Sequence, residues 1–271
     1  MRKRENRERD EETIKLTEAL LGVNGECYTM WNFRRETLLF HFEEDLAQAS
    51  LVDESARLKA QEKEKETLLK ELYFTQQALM RNPKSYWCWN QREWATQRLS
   101  RMSACPWEKE LALCGQLLHH DARNCKFLLN QPHQSTHSTQ VHCWNYRRYV
   151  VAQSHISHEA ELKFTTNLIE ENFSNYSAWH QRSKLLPLIF TDPEEYHRAI
   201  DEELEVVKNA FYTMPNDSSA WFYHRWLINQ NPLPSIILRE IEAVEELLQI
   251  LELPEEKKCR CSLLPSRSFC A

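Results

Sequence analysis

Five tryptophans stand in one recurring frame, and that frame restricts the chain to repeated helical hairpins. Trp31 lies in YTMWNFRRETLL, Trp89 in NPKSYWCWNQREWA, Trp144 in VHCWNYRRYVV, Trp179 in NFSNYSAWHQRSKLL and Trp221 in PNDSSAWFYHRWLI. An arginine follows by three residues at Arg34, Arg92, Arg147 and Arg182; in the fifth copy His224 holds that place and Arg225 comes next. Asn24, Asn82 and Asn172 precede the tryptophan by seven, and Tyr28, Tyr86 and Tyr176 precede it by three. The intervals between the tryptophans are 58, 55, 35 and 42 residues, and the shorter ones fit a helix–turn–helix period. Each copy reads as an amphipathic helix, a short polar turn, and a second helix capped by Ser85, Asn175 or Asp217. Pro83 disfavours helix at Asn82 and so ends the first helix there. On the second helix the tryptophan and the arginine three residues on share a face, with the ring supplying buried area. The guanidinium can stack on a ring or bond the carbonyls of a neighbouring turn. Trp31, Trp89, Trp144, Trp179 and Trp221, with Arg34, Arg92, Arg147, Arg182 and Arg225, are therefore expected to carry architecture rather than chemistry.

The two long intervals have identifiable causes. DESARLKAQEKEKETLLKEL, rich in Glu and Lys, lengthens one helix and reads as a solvated face. CKFLLNQPHQSTHSTQ, residues 125–140, is non-periodic and reads as a surface loop inserted in the third inter-helix turn; without its 16 residues the interval falls from 55 to 39. ILREIEAVEELLQILEL forms one further amphipathic helix, closed by Pro254. The expected organisation is a helical-repeat domain over residues 1–253, with the insertion at 125–140, and an irregular tail over 254–271.

Glycine then excludes the alternatives. Only Gly22, Gly25 and Gly115 occur, where average usage would give about 19. No dinucleotide fingerprint or phosphate loop can be written from three such positions, and glycine-turned β-barrels are equally disfavoured. Turns that need positive φ must find other residues. A net charge of −6 disfavours nucleic acid as a partner, and no apolar run reaches the 18 residues of a membrane span. The nine cysteines contain no C-x-x-C pair and the N-terminus has no signal-peptide core, so reduced thiols and a cytoplasmic location are expected. His119-His120 and His155-x-x-His158 lack a third ligand and read as surface residues, and Cys259-x-Cys261 as incidental; no metal site is expected in this chain.

The strings NPKSYWCW at 82–89, NFSNYSAWHQRS at 172–183 and NAFYTMPNDSSAWFYHRWL at 209–227 resemble the α subunit of the protein prenyltransferases. They are closer to the Rab geranylgeranyltransferase type than to the farnesyltransferase type. The likeness covers roughly residues 13–253, in a shortened form. It implies an all-α superhelix of helical hairpins, a crescent wrapping a β subunit that holds the catalytic zinc and most of the lipid pocket. The pair would transfer geranylgeranyl from geranylgeranyl diphosphate to C-terminal cysteines of Rab GTPases presented by a Rab escort protein. No cofactor and no certain catalytic residue would belong to this chain. By the same resemblance, Lys84 matches a lysine that reaches the diphosphate, Tyr86 a neighbouring hydrogen-bond donor, and His142 a position of the third repeat facing that cleft. Sequence alone would leave Lys84 a solvated turn lysine and the repeat tyrosines Tyr28 and Tyr176 as packing. Two other functions fit the same period: a non-catalytic scaffold binding a protein, and the α subunit shared by farnesyltransferase and the type I enzyme.

Overall fold

The computed structural model describes residues 8–128 and 137–252, and side-chain caps open most of its helices. The elements are α1 (Glu11–Val23), α2 (Tyr28–Ser50), α3 (Glu54–Arg81), α4 (Tyr86–Arg101), α5 (Trp107–Leu128), α6 (His137–Ser154), α7 (His158–Glu171), α8 (Tyr176–Ile189), α9 (Pro193–Thr213), α10 (Ser218–Gln230) and α11 (Pro234–Glu252). Among the described residues there is no strand. Consecutive helices pair as hairpins: α1 with α2, α3 with α4, α5 with α6, α7 with α8, and α9 with α10. The chain divides at His155/Ile156 into two units, the first holding α1–α6 and the second α7–α11. The all-α hairpin-repeat class expected from the sequence is the class observed.

The turns work by side-chain chemistry in place of glycine. Ser85 Oγ accepts from Cys88 N, Asn175 Oδ1 from Ala178 N and Asp217 Oδ1 from Ser219 N, the three expected caps. Asn24, Asn82 and Asn172 each end a first helix and accept from the amide two residues on, closing an Asx turn. The repeat tryptophan then ties its own turn: the indole N–H groups of Trp31, Trp89, Trp179 and Trp221 donate to the carbonyls of Gly25, Pro83, Phe173 and Pro215, six residues back, at 2.8–2.9 Å. Left-handed backbone falls to Ser103 and His155, both at φ 54°, and to no glycine. Around Ser103 the amide of Ala104 bonds the Leu99 carbonyl and that of Ser103 the Ser100 carbonyl, a Schellman closure with serine in glycine's usual seat.

Within each unit the hairpins are joined by a buried polar ladder. Arg34 makes a two-pronged pair with Glu71 and also donates to the Ile14 carbonyl at 2.7 Å, its guanidinium lying 4.7 Å from the Phe74 ring. Arg92 pairs with Glu110 and donates to Leu72 O and Thr75 Oγ1. Arg182 pairs with Glu203 and donates to Leu162 O and Thr165 Oγ1. In all three the carbonyl lies 20 residues, and the threonine 17 residues, before the arginine. Arg147 reaches the Leu111 carbonyl 36 residues back, which becomes the same 20 once residues 125–140 are set aside. The glutamate of each rung is also bonded by the next second helix: Gln91 donates to Glu71, Tyr146 to Glu110 and Tyr223 to Glu203. A buried carboxylate requires such partners, since desolvation without them costs several kcal/mol.

Apolar packing fills the space between rungs. Leu38, Phe42, Leu68, Leu72, Ala95 and Leu99 form one core cluster of the first unit. In the second, Phe211 stacks on Trp221 at 4.5 Å and Trp179 lies 4.8 Å from Tyr223.

Three sequence expectations need correction. Arg225 is exposed and is not the fifth structural residue; His224 is buried and bonds Glu240, while Lys208 from α9 supplies the cation that the missing arginine would bring. The loop expected over 125–140 is narrower: residues 125–128 continue α5 and 137–140 open α6, while 129–136 lie outside the described residues. The Glu/Lys run is not solvated throughout, because Glu71 at its end is the buried carboxylate of the first rung. The tail 254–271, with Cys259 and Cys261, lies outside the described residues.

Candidate functional site

Of the three residues expected at the diphosphate, Lys84 and Tyr86 lie at the turn between α3 and α4, and His142 on α6 meets Tyr86. Asn82 Oδ1 accepts from the Lys84 amide at 3.2 Å, and Ser85 caps α4, so Lys84 stands exposed at the mouth of a helix N-terminus. Tyr86 opens α4 with its ring half-exposed. Across the hairpin boundary His142, early in α6, places its imidazole 5.5 Å from the Tyr86 ring at an interplanar angle of 58°. Tyr86 and His142 therefore meet although 56 residues separate them, and the helical start of α6 at His137 carries His142 into place.

Acidic residues are distributed unevenly over the helix starts. The first turns of α1, α3, α5, α7 and α9 carry acidic residues, among them Glu11, Glu54, Glu108, Glu159 and Glu194. Those of the second helices α2, α4, α6, α8 and α10 carry none. Each helix start is equivalent to roughly half a positive charge; at α10 the Asp217 carboxylate caps it, and beside the α4 turn the Glu26 carboxylate accepts from Asn82 at 3.0 Å. Only at the α4 turn does the repeat frame place a lysine directly before the capping serine. Chemically, an exposed lysine, a phenol and an imidazole are groups that can donate to a polyanion without a backbone cradle.

Other nucleophilic candidates are silent. Burial pushes the Cys88 thiol upward and Cys105 to about 12, so neither presents a thiolate near neutral pH. Among the described residues no three His, Cys, Asp or Glu side chains gather into a metal-ligating group. Tyr28 and Tyr176, read from sequence as packing, are 52% and 49% exposed, as open as Tyr86 at 49%. Sequence reasoning also missed Trp87, whose ring touches both Tyr86 and Tyr28. Its only mark in the sequence was an aromatic residue two before the repeat tryptophan, where three of the other units carry Thr29, Ser177 and Ser219.

Comparison with known proteins places this geometry. The protein prenyltransferase alpha subunit repeat matches residues 68–99, 158–189 and 200–231, which fall on α3–α4, α7–α8 and α9–α10 with the tryptophan at the same place in each. The geranylgeranyl transferase type-2 subunit alpha of Dictyostelium discoideum is 38% identical over 262 residues, covering 96% of this chain and 73% of the relative. That of Saccharomyces cerevisiae is 33% identical over 254 residues, 90% and 65% of the two chains. That of Rattus norvegicus is 41% identical over 234 residues, 84% of this chain and 35% of the relative, so the chain spans about a third of the length of the mammalian proteins it matches. No helix among the described residues is long and apolar enough to cross a membrane. By the Dictyostelium match and the three repeats, the chain belongs to the protein prenyltransferase α-subunit family, with the geranylgeranyl transferase type-2 α subunits as its relatives.

Proposed function

We propose that this chain is the α subunit of a heterodimeric type-2 geranylgeranyltransferase. In this reading it supports a β subunit, and the pair moves geranylgeranyl from geranylgeranyl diphosphate to C-terminal cysteines of Rab GTPases presented by an escort protein, in the cytoplasm. The observation that carries the reading is the α3–α4 turn, where Lys84 precedes a capped helix start and the Tyr86 ring faces His142. As the diphosphate departs, negative charge grows on the oxygen that bridged it to the lipid. Fixed donors aimed at that oxygen lower the barrier because they bind the charge of the transition state more than that of the ground state. Lys84 supplies the charge, the Tyr86 hydroxyl a proton donor, and His142 a second donor when its ring nitrogen carries hydrogen. The zinc is assigned to the β subunit, where it would supply a nucleophilic substrate thiolate; the residues described in this chain gather no ligand set to hold it.

The test is co-expression with a type-2 β subunit and measurement of geranylgeranyl incorporation into a Rab protein, with and without escort protein. A stable heterodimer is expected, with transfer that depends on the escort and falls about tenfold or more in Lys84→Ala. Failure to form a heterodimer defeats the reading as a whole. A heterodimer with unaltered transfer in Lys84→Ala removes the diphosphate role and leaves the subunit assignment standing.

A further inference from the structure

Resting on the diphosphate reading above, we propose that Trp87 is a positioning residue: its indole holds the Tyr86 ring over His142 so that phenol and imidazole face one anion together.

Within the repeat frame, Trp87 and His142 occupy the same position, two residues before the repeat tryptophans Trp89 and Trp144. They are the rings at that position; the remaining units carry Thr29, Ser177 and Ser219. Both rings touch Tyr86. Trp87 meets it edge-on at 5.1 Å and 80°, and His142 lies at 5.5 Å and 58°. Trp87 is itself backed by Tyr28, 5.4 Å away in the preceding hairpin. The indole is thus a half-buried wedge between two half-exposed tyrosines. Edge-to-face contacts of this kind are favourable beyond the area they bury and bias a surface ring that would otherwise sample several rotamers.

The second unit contains the same turn without an indole. Tyr176 opens α8 at the same repeat position as Tyr86 and with equal exposure, but Ser177 follows it. There the tyrosine ring lies along its own helix, stacked on His180 four residues on at 6.1 Å and 8°. Tyr86 has Asn90 at that place, a residue that instead accepts from Arg35. Tyr176 also meets the next hairpin, its ring 6.3 Å from Phe222 at 86°, so what the α4 turn adds is an indole packed against its tyrosine from the same helix start.

Two variants of the full chain test this, with the β subunit present for kinetics. Trp87→Ser installs the residue found at this position of the α7–α8 turn, and Trp87→Phe keeps a ring. Trp87→Ser is expected to lower kcat/KM for transfer about tenfold, since small displacements of positioned donors carry large rate penalties. Trp87→Phe should stay within about threefold of the parent. In a Tyr86→Phe background Trp87→Ser should add less than about twofold, because the phenol through which it acts is gone. Independently of activity, the His142 ring-proton resonances of the free chain should shift in Trp87→Ser as the Tyr86 ring current leaves them, and return toward the parent in Trp87→Phe. Unchanged His142 resonances in Trp87→Ser overturn the brace. A loss of rate that is as large in the Tyr86→Phe background also overturns it, since Trp87 would then act elsewhere. Shifted resonances with full activity in both Lys84→Ala and Tyr86→Phe support the brace and overturn the diphosphate reading beneath it.

Discussion

Replacing Arg92 by methionine isolates what one rung of the buried ladder contributes. The Arg92 and Glu110 side chains are 2% and 1% exposed. The pair is joined by bonds of 2.7 and 2.8 Å, and the guanidinium also holds the Leu72 carbonyl at 2.6 Å. Methionine keeps most of the packing volume but leaves the Glu110 carboxylate with the Tyr146 hydroxyl as its remaining donor from this rung. Stripping one partner from a buried pair costs about 3–5 kcal/mol, chiefly because the surviving charge is neither solvated nor compensated. For a unit of this size each kcal/mol moves the midpoint by about 2–4 °C, so a fall on the order of 10 °C is expected. The second variant separates charge from packing. Adding Glu110→Gln to Arg92→Met removes the stranded charge and should recover about 2 kcal/mol, although Glu110→Gln alone destabilises. Urea unfolding followed by tryptophan fluorescence, with the heat-denaturation midpoint beside it, reads both. A loss below about 1 kcal/mol in Arg92→Met, the scale of an exposed pair, would refute the reasoning. So would a double variant weaker than Arg92→Met.

Three further outcomes follow from the same structure. Burial, reinforced by Glu110 and Glu203, pushes the phenols of Tyr146 and Tyr223 well above 10; below pH 10 both states hold these protons, whereas above it only the native state does, so stability should fall by about 1.4 kcal/mol per pH unit for each tyrosine, and an alkaline ultraviolet titration should show two phenols ionising only on unfolding. Ser103→Gly and His155→Gly relieve left-handed backbone at φ 54° and should each raise stability by up to about 1 kcal/mol, a lowered melting temperature being the contrary result. Lys208→Met should cost more than loss of a surface lysine, because Lys208 and Arg239 are the cations on the buried Glu240 carboxylate, and adding His224→Arg should restore part of the loss in a thermal melt.

What could be read from the sequence was whatever is local to one hairpin. The caps at Ser85, Asn175 and Asp217 follow from residue type beside an apolar period, and the tryptophan burial from its fixed frame. The threonines at Thr17, Thr75 and Thr165, each 17 residues before a repeat arginine, were legible on the same terms. The glutamates were not. Arg34 finds Glu71 after 37 residues, Arg92 finds Glu110 after 18 and Arg182 finds Glu203 after 21, because each rung crosses a connector of its own length. Phase decides between His224 and Arg225: the third residue after the tryptophan faces inward in every copy, and chemistry alone pointed to the wrong neighbour. At the candidate site, Lys84, Tyr86 and His142 were marked by resemblance, but the contact between Tyr86 and His142 depends on how two hairpins stack, which no short spacing encodes. Trp87 was invisible because it breaks the frame instead of repeating it.

The contact between Arg147 and the Leu111 carbonyl bears on how such a chain can lengthen. The tip joining α5 to α6 carries additional sequence, yet the arginine still reaches the carbonyl it would reach in a shorter hairpin. Closing a longer excursion adds only about 0.6 kcal/mol for each doubling of its length. Hairpin tips are therefore cheap ports for foreign sequence, whereas one residue added inside a second helix would rotate the arginine about 100° from its carboxylate and break the rung.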